Sequence, residues 1–212
     1  MPGVTISAGY GTGGSTIAPA VAERLGLPLL DRAISSDVAE QLHLSVQEAH
    51  TGVMKRSLAG RFFGVLAPLA GGVLGAGTDA APPEVVPPPD DAELFREQAE
   101  TIMRQALAAG AVILGRAGAA AFRDEPDVLR VRLFGPLDAR IAHATRIQRV
   151  DEQTARRLLA EVDHARAQYV RRLYGADIDD PDLFSLQLDS TALPVQACVD
   201  IIATAYGCLT KR

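Results

Sequence analysis

The segment Val4–Asp31, VTISAGYGTGGSTIAPAVAERLGLPLLD, determines the fold class of this chain. It predicts a short apolar strand, a glycine-rich loop over residues 9–14, a helix from Ser15 to about Leu25, and a second strand at Leu27–Leu30. Several loop positions are expected to need a positive φ, which glycine adopts without strain. In such a strand–loop–helix–strand unit, backbone N–H groups and a helix N-terminus both face an anion. The segment therefore predicts a site for the phosphates of a nucleotide or a similar molecule.

The first interpretation of the loop is a P-loop. Residues 9–16 read G-x-x-x-x-G-S-T, in which Ser15 stands where the motif has its phosphate-binding lysine. Thr16 retains the hydroxyl with which such loops bind Mg²⁺. Because Lys55 and Lys211 are the only lysines of the chain, no lysine beside the loop replaces the missing one. The P-loop interpretation thus predicts ATP binding with one positive charge fewer at the donor phosphates.

The second interpretation is a dinucleotide-binding fingerprint, because Gly9, Gly11 and Gly14 complete G-x-G-x-x-G. Asp31 then stands near the position of a ribose-binding carboxylate. A hydride-transfer enzyme of this type needs a proton donor such as a Tyr-x-x-x-Lys pair, and neither lysine has a tyrosine so placed. The third interpretation is a glycine-rich turn without a ligand, although four glycines at this junction lose backbone entropy without improving packing.

The composition limits the class of protein. A length of 212 residues suits one α/β domain with a proper core, and a net charge of −5 argues against a general nucleic-acid binder. The N-terminus lacks a charged segment followed by an apolar one, which predicts a cytoplasmic protein without a signal peptide. Cys198 and Cys208 lie on one predicted helix, about 15 Å apart along its axis. This separation is too large for a disulfide, so both are predicted to be small core residues.

The middle of the chain, residues 33–91, is irregular in pattern. Its apolar part, residues 62–77, is too short and too often interrupted by glycine and proline to span a bilayer, so no membrane contact is expected. We interpret this part as a flap, a cover over a pocket or a homodimer contact. Residues 78–91 are rich in proline and predict an extended loop, because proline fits neither helix nor central strand.

The remainder of the chain alternates helices and strands. The predicted elements are a helix from Asp90 or Asp91 to Gly110, a strand at Ala111–Leu114, a strand at Val128–Phe134, a helix over residues 136–149, a helix from Asp151 to about Gly175, a strand at Phe184–Leu188, and a helix after Thr191 and Pro194. With the first two strands, this alternation predicts a five-stranded, parallel, doubly wound α/β sheet. Ligands bind at the carboxyl ends of such strands, where Gly115 and Arg116 follow the third.

The arginines of residues 116–172 favour phosphoryl transfer over hydride transfer. Phosphoryl transfer depends on positioning and on neutralising charge, for which arginine and Mg²⁺ are suited. Arg116 stands at a strand end, where an arginine with a purely structural role is not expected. Asp163 and Arg166 lie three residues apart on one helix face. Asp163 and Arg166 can form a salt bridge within the helix or bind substrate together, and the two roles are compatible.

Three blocks of the sequence resemble the cytidylate kinase-like family of P-loop nucleoside monophosphate kinases. They are ISAGYGTGGSTIAPAVAERLGLPLLDRAI, LFREQAETIMRQALAAGAVILGRAGAAAFRDEPDVLRVRLFGPLDARIAHATR, and DHARAQYVRRLYGADIDDPDLFSLQLDSTALPVQACVDII. Together they cover most of the chain outside residues 45–90. The order of the blocks makes the resemblance specific to this family.

The resemblance implies an architecture and a reaction. The architecture is a single domain over residues 1–212: a three-layer P-loop kinase core with a five-stranded parallel sheet of order 2-3-1-4-5. Residues 33–91 would form an acceptor-side insertion, and residues 140–175 would form lid-like helices. The reaction is transfer of the γ-phosphoryl group of Mg²⁺-ATP to a nucleoside monophosphate of the cytidylate type. Because Ser15 replaces the lysine, weak activity is expected, and a catalytically inactive nucleotide-binding or regulatory protein is the alternative.

The resemblance also implies roles for individual residues. Phosphate and ATP binding would fall to Gly11, Thr12, Gly13, Gly14, Ser15 and Thr16, with Thr16 also on Mg²⁺. Acceptor binding would fall to Asp31, Arg32, Arg116, Asp163 and Arg166. The catalytic arginines would be Arg116, Arg140 and Arg166.

Overall fold

The computed structural model describes residues 3–31 and 92–210. The predicted roles of Arg32, of the insertion 33–91 with its apolar and proline-rich parts, and of Asp90 or Asp91 as a helix cap lie outside these residues. Within the described ranges, helices and strands alternate along the chain as the sequence patterns predict.

All five strands are parallel and form one sheet of order β2-β3-β1-β4-β5. In chain order the strands are β1 Gly3–Ala8, β2 Leu29–Leu30, β3 Val112–Leu114, β4 Val128–Phe134 and β5 Leu186–Asp189. The predicted order and direction of the strands are therefore confirmed. Central β1 places Val4 opposite both Val112 of β3 and Leu129 of β4. A dinucleotide-binding sheet would place β2 beside β1, whereas here β3 lies between them.

The helices begin and end close to their predicted limits. They are α1 Gly14–Leu25, α2 Ala92–Ala108, α3 Gly118–Ala121, α4 Leu137–Gln148, α5 Glu152–Tyr174 and α6 Val195–Leu209, with a 3₁₀ turn at Pro181–Leu183. Asp151 caps α5 as predicted, because its side chain accepts a hydrogen bond from the Thr154 N–H at 2.8 Å. The sequence patterns missed α3 and the 3₁₀ turn, which are too short to show a helical period. Because Phe184 ends that turn, β5 begins two residues later than predicted.

The core lies on both faces of the sheet because neighbouring strand residues point to opposite sides. Val112 and Leu114 of β3 are buried among residues of α1 and α6, whereas Ile113 is buried with Met103 and Leu107 of α2. This packing fixes the carboxyl ends of β1 and β3 at one edge, between the two helical layers. The glycine-rich loop and Arg116 follow these two strand ends.

Helices α4 and α5 form a hairpin, called here the α4–α5 hairpin (residues 137–174), joined by the short turn around Arg149. Its interior contains a residue from the glycine-rich loop, the fully buried Tyr10. Tyr10 packs with the buried hairpin residues Ile141, Ala144, Ala155, Leu159 and Val162. The side chain of Tyr10 thus connects the hairpin to the loop that follows β1.

The two cysteines differ in environment. Cys198 is buried in the core against the sheet, and burial raises the pKa of its thiol. Cys208 is exposed, so its predicted core position is wrong. Ten helical residues turn the chain by a net angle of about 80°, which carries Cys208 off the buried face of α6. Among the described helices of the chain, none has the length and apolar character needed to cross a bilayer.

Candidate phosphate-binding site

The glycine-rich loop of residues 9–14, called here the glycine loop, joins β1 to α1. Gly11 and Gly13 adopt φ values of 75° and 77°, which confirms the predicted need for positive φ at these two positions. At Gly11 a Cβ atom would lie only 2.3 Å from the backbone oxygen of Arg140. Glycine is therefore required there for both the backbone conformation and the close approach of α4.

The carbonyl oxygens of residues 8–13 all accept hydrogen bonds from within the protein. The donors are Arg166 Nη1 to Ala8 (2.7 Å), Thr12 Oγ1 to Gly9 (2.8 Å), Arg140 Nε to Tyr10 (2.8 Å), His143 Nδ1 to Gly11 (2.9 Å), Ser190 Oγ to Thr12 (2.8 Å) and the Ile17 N–H to Gly13 (2.9 Å). By contrast, the N–H groups of Gly11 and Gly14 have no acceptor among the described residues. With its carbonyls engaged and these N–H groups available at a helix N-terminus, the loop is suited to bind an anion.

Ser15 and Thr16 occupy the first turn of α1. Ser15 is half-buried and Thr16 is exposed. Within residues 3–31 and 92–210, no group of three acidic, histidine or cysteine side chains lies close enough to hold a metal ion. The hydroxyl of Thr16 is an oxygen ligand of the type that Mg²⁺ takes beside substrate phosphates, since Mg²⁺ retains several waters and needs no complete protein cage.

Arg116 and Asp31 come together at the adjoining strand ends of β3 and β2. The side chain of Arg116 is buried, and its Nε donates to the Asp31 carbonyl at 3.0 Å. Gly115, Arg116 and Ala117 all have left-handed backbone conformations, with φ of 79°, 55° and 52°. A left-handed conformation costs a non-glycine residue on the order of 1 kcal/mol, and such strain is concentrated at functional sites. The neighbourhood of Arg116 therefore resembles a ligand-binding position.

Arg140, Asp163 and Arg166 also come together, against the glycine loop. Asp163 Oδ1 accepts a hydrogen bond from the Tyr10 N–H at 2.9 Å, and its Oδ2 pairs with Arg140 Nη2. Arg166 Nη1 lies 4.0 Å from Asp163 Oδ1, so the predicted salt bridge within the helix is long. The assignments of these residues to acceptor binding and catalysis remain predictions.

Sequence reasoning missed four residues, neither acidic nor arginine, that support the loop. These are Tyr10, His143, Gln148 and Ser190. For two of them the sequence contains an indication of their position. His143 follows Arg140 by three residues and thus shares its helix face. Ser190 directly follows β5, whose carboxyl end lies at the same edge of the sheet as the glycine loop. Tyr10 and Gln148 carry none, because neither residue type indicates a long-range contact.

Comparisons with known proteins identify the family and the fold of the chain. A sequence model of the cytidylate kinase-like family matches residues 3–192. The sequence has no match among curated proteins. Among solved structures, similar ones include an uncharacterized protein from Eubacterium ventriosum ATCC 27560, with a TM-score of 0.60, 18% identity and coverage of 97% of each chain. A gluconokinase from Sinorhizobium meliloti 1021 has a TM-score of 0.54 and 12% identity, over 99% of this chain and 94% of the other. At these identities the structural likeness shows the fold alone.

Proposed function

This chain belongs to the cytidylate kinase-like family, and from that premise we propose that it transfers the γ-phosphoryl group of ATP to a nucleoside monophosphate of the cytidylate type. The observation that carries the proposal is the glycine loop, whose carbonyls are engaged by the protein while the N–H groups of Gly11 and Gly14 have no acceptor in the part of the chain that the structure describes. A cytoplasmic location, where ATP is abundant, is part of the proposal.

The donor side of the proposed site is the second half of the loop. The N–H groups of Gly11 and Gly14 and the positive end of α1 would bind the phosphates of ATP. The exposed hydroxyl of Thr16 would bind Mg²⁺, which supplies positive charge to the transferring group. Ser15 contributes a hydroxyl in place of an ammonium, so this chain holds the phosphates mainly through its backbone.

The acceptor side is the neighbouring strand end. Because β3 lies directly beside β1, Arg116 is close to the glycine loop in the sheet. A guanidinium in this position is suited to bind the acceptor phosphate through two parallel hydrogen bonds. Asp31 lies next to Arg116 and would face the acceptor nucleotide, with Arg32 beside it in sequence.

A nucleotide-binding protein without turnover is the second candidate. The serine at position 15 favours it, because a P-loop normally supplies a lysine ammonium to the donor phosphates. The two candidates share the binding step and differ in the transfer step. Binding is therefore tested first, and the formation of ADP from ATP and a monophosphate then separates the two.

The binding test compares two glycines at opposite ends of α1. Gly13 caps the N-terminus and Gly26 the C-terminus, with φ of 77° and 67°. Alanine at either position is strained by about 1–2 kcal/mol, since both backbones are left-handed. Only Gly13 belongs to the loop, where a Cβ atom would also lie 3.3 Å from His143 Cε1. At Gly26 a Cβ atom would meet nothing within 4 Å.

We expect Mg²⁺-ATP to raise the melting temperature of the wild type and of Gly26→Ala, since a bound ligand stabilises the folded state by mass action. Gly13→Ala should lose this shift while retaining a cooperative melting transition. The proposal fails if wild-type protein shows no shift with nucleoside mono-, di- or triphosphates. An equal shift in both variants would place the nucleotide elsewhere.

A further inference from the structure

The α4–α5 hairpin and the glycine loop are joined at one residue, Tyr10. The side chain of Tyr10 is completely buried inside the hairpin, and its hydroxyl donates to Gln148 Oε1 at 2.7 Å. Tyr10 is also the second residue of the glycine loop, between Gly9 and Gly11. Any displacement of the hairpin is therefore transmitted to the loop backbone at this position.

The backbone of Tyr10 is held by charged groups of the same hairpin. Its N–H donates to Asp163 Oδ1 at 2.9 Å, and its carbonyl accepts from Arg140 Nε at 2.8 Å. The two side chains also pair with one another, through Arg140 Nη2 and Asp163 Oδ2. One carboxylate and one guanidinium thereby engage both polar groups of a single residue. Such charge-assisted hydrogen bonds are about twice as strong as neutral ones.

Arg166 extends these contacts to the end of β1, where its Nη1 donates to the Ala8 carbonyl at 2.7 Å. The side chains of Arg140 and Arg166 are each 14% exposed, and that of Asp163 is 31% exposed. Their shared burial reduces screening by water relative to a surface ion pair. We call Arg140, Asp163 and Arg166 together the loop clamp.

We propose that the loop clamp positions the glycine loop for phosphate binding. Glycines lack a steric preference for one conformation, so a loop that contains four of them must be ordered by contacts from outside. The clamp holds the backbone of Ala8 and Tyr10. Gly11 is the next residue, so the position of its N–H group is set by the same contacts. A loop ordered in advance binds its ligand without the entropic cost of ordering during binding. This inference rests on the proposed function, because it takes the loop as the phosphate site.

The loop clamp and direct contact with the acceptor predict different behaviour. If Asp163 acted only on the acceptor sugar, its replacement would weaken binding of the monophosphate and leave binding of ATP alone unchanged. A positioning role predicts that ATP affinity falls even without an acceptor. The observed geometry favours positioning, because both carboxylate oxygens of Asp163 are engaged by protein groups.

The test variant is Asp163→Asn, matched with Glu161→Gln on the same helix. Asparagine keeps the size of the side chain, but both partners of Asp163 are donors, so in either orientation its NH2 group would face a donor, the Tyr10 N–H or Arg140 Nη2. Glu161→Gln removes the same charge from an exposed pair with Arg157, away from the loop. Calorimetric titration with Mg²⁺-ATP in the absence of a monophosphate measures donor affinity. Hydrogen exchange of the ligand-free protein measures the order of amides 11–16.

For Asp163→Asn we expect roughly 10- to 100-fold weaker ATP binding, since the loss of a hydrogen bond to a charged group changes an equilibrium constant by a factor of this order. We also expect faster exchange of amides 11–16. Glu161→Gln should behave as the wild type in both measurements. Wild-type ATP affinity together with unchanged loop exchange in Asp163→Asn would overturn the inference.

A second variant covers the case in which Asp163→Asn does not fold. Arg140→Lys retains the charge, but one ammonium cannot replace the two separate N–H groups that reach Tyr10 O and Asp163. It should show the same faster loop exchange, and unchanged exchange would again overturn the inference. If the wild type binds no ATP, the proposed function fails, whereas loop exchange in the ligand-free variants still decides whether the clamp orders the loop.

Discussion

At position 15 a serine hydroxyl occupies the place of a lysine ammonium in a P-loop. If the protein is a kinase, Ser15→Lys should raise kcat. Removal of a single electrostatic group that stabilises a transition state lowers kcat by about 10²- to 10³-fold. For an ammonium introduced by a single substitution we expect a smaller increase of about 10- to 100-fold. Release of ADP from Mg²⁺-ATP, with cytidine monophosphate as acceptor, measures the change.

The matched control is Ser15→Met, which adds a side chain of similar length without charge. Methionine should not raise kcat, so a gain confined to lysine identifies the missing charge as the limit on turnover. High wild-type turnover that lysine fails to improve would mean that an arginine, with Arg116 as the first candidate, already supplies this charge.

The residues of the glycine loop were predictable from the sequence, whereas those that hold it were only partly so. Glycine spacing identifies the loop because few other residues tolerate its backbone. The partners of its carbonyls come from far along the chain: His143 is 132 residues from Gly11, and Ser190 is 178 residues from Thr12. No local pattern encodes contacts at such separations. Arg116 was singled out by its place at a strand end, Asp163 and Arg166 by their spacing on one helix face, and Arg140 by the resemblance to the family.

At the scale of elements, the start of α5 makes its stability depend on pH. Hydrogen bonds from the Thr154 N–H and hydroxyl keep the pKa of Asp151 below its ordinary value of 3.8. The folded state thus binds this proton more weakly than the unfolded state does. The stabilisation is present above pH 3.8 and is lost as the pH falls through the lower pKa of the folded protein. Asp151→Ala should therefore lower the free energy of unfolding at neutral pH but not in strong acid.

Urea unfolding followed by circular dichroism, at neutral pH and again well below pH 3.8, measures this difference. Asp151→Asn is the informative comparison, because asparagine caps helices about as well as aspartate without titrating. Its free energy of unfolding should equal that of the wild type at neutral pH and exceed that of the wild type in acid. A constant difference between the wild type and Asp151→Ala at every pH would show that the carboxylate charge does not contribute to the cap.

Long elements were predictable and short ones were not. The limits of β4 agree residue for residue with the strand predicted at Val128–Phe134, and α5 agrees with its cap at Asp151 and its terminal glycine. The single turn α3 contains only Gly118–Ala121, and it follows the left-handed Arg116 and Ala117. Its conformation is imposed by packing beside β1, where a Cβ atom on Gly118 would lie 3.0 Å from Thr5. Propensity alone does not indicate it.

At the scale of the whole molecule, phosphoryl transfer requires water to be excluded from the site. The lid-like segment 140–175 predicted from the sequence falls almost entirely in the α4–α5 hairpin. We expect its amides to gain protection from hydrogen exchange when a non-hydrolysable ATP analogue and a nucleoside monophosphate are both present. Either ligand alone should protect less, because closure needs both sets of phosphates.

Amides of α6 provide the internal reference for this experiment, since α6 packs against the sheet rather than against the hairpin. Exchange in residues 140–175 that stays the same with and without bound nucleotides would mean that the hairpin is a fixed part of the core. The kinase mechanism would then require a different element to cover the site.

The architecture as a whole was predictable because the blocks of sequence occur in the order of a known family. Alternation of elements gave a parallel sheet, but the position of β3 between β1 and β2 followed only from the resemblance. Alternation fixes the direction of strands and leaves their order open. The single-domain extent, the insertion 33–91 and the homodimer contact through residues 62–77 remain predictions, since those parts of the chain lie outside the described residues.

The burial of Tyr10 inside the α4–α5 hairpin has a consequence for how the chain is synthesised. Tyr10 leaves the ribosome 153 residues before its partner Asp163. Until Asp163 emerges, the Tyr10 side chain, which is buried in the folded protein, stays exposed to solvent. The core of the hairpin is complete only when Tyr10 has packed into it. Such distant contacts slow folding, because a long loop must close before they form. The glycine loop therefore acquires its final shape only after the α4–α5 hairpin, far behind it in the sequence, has been synthesised.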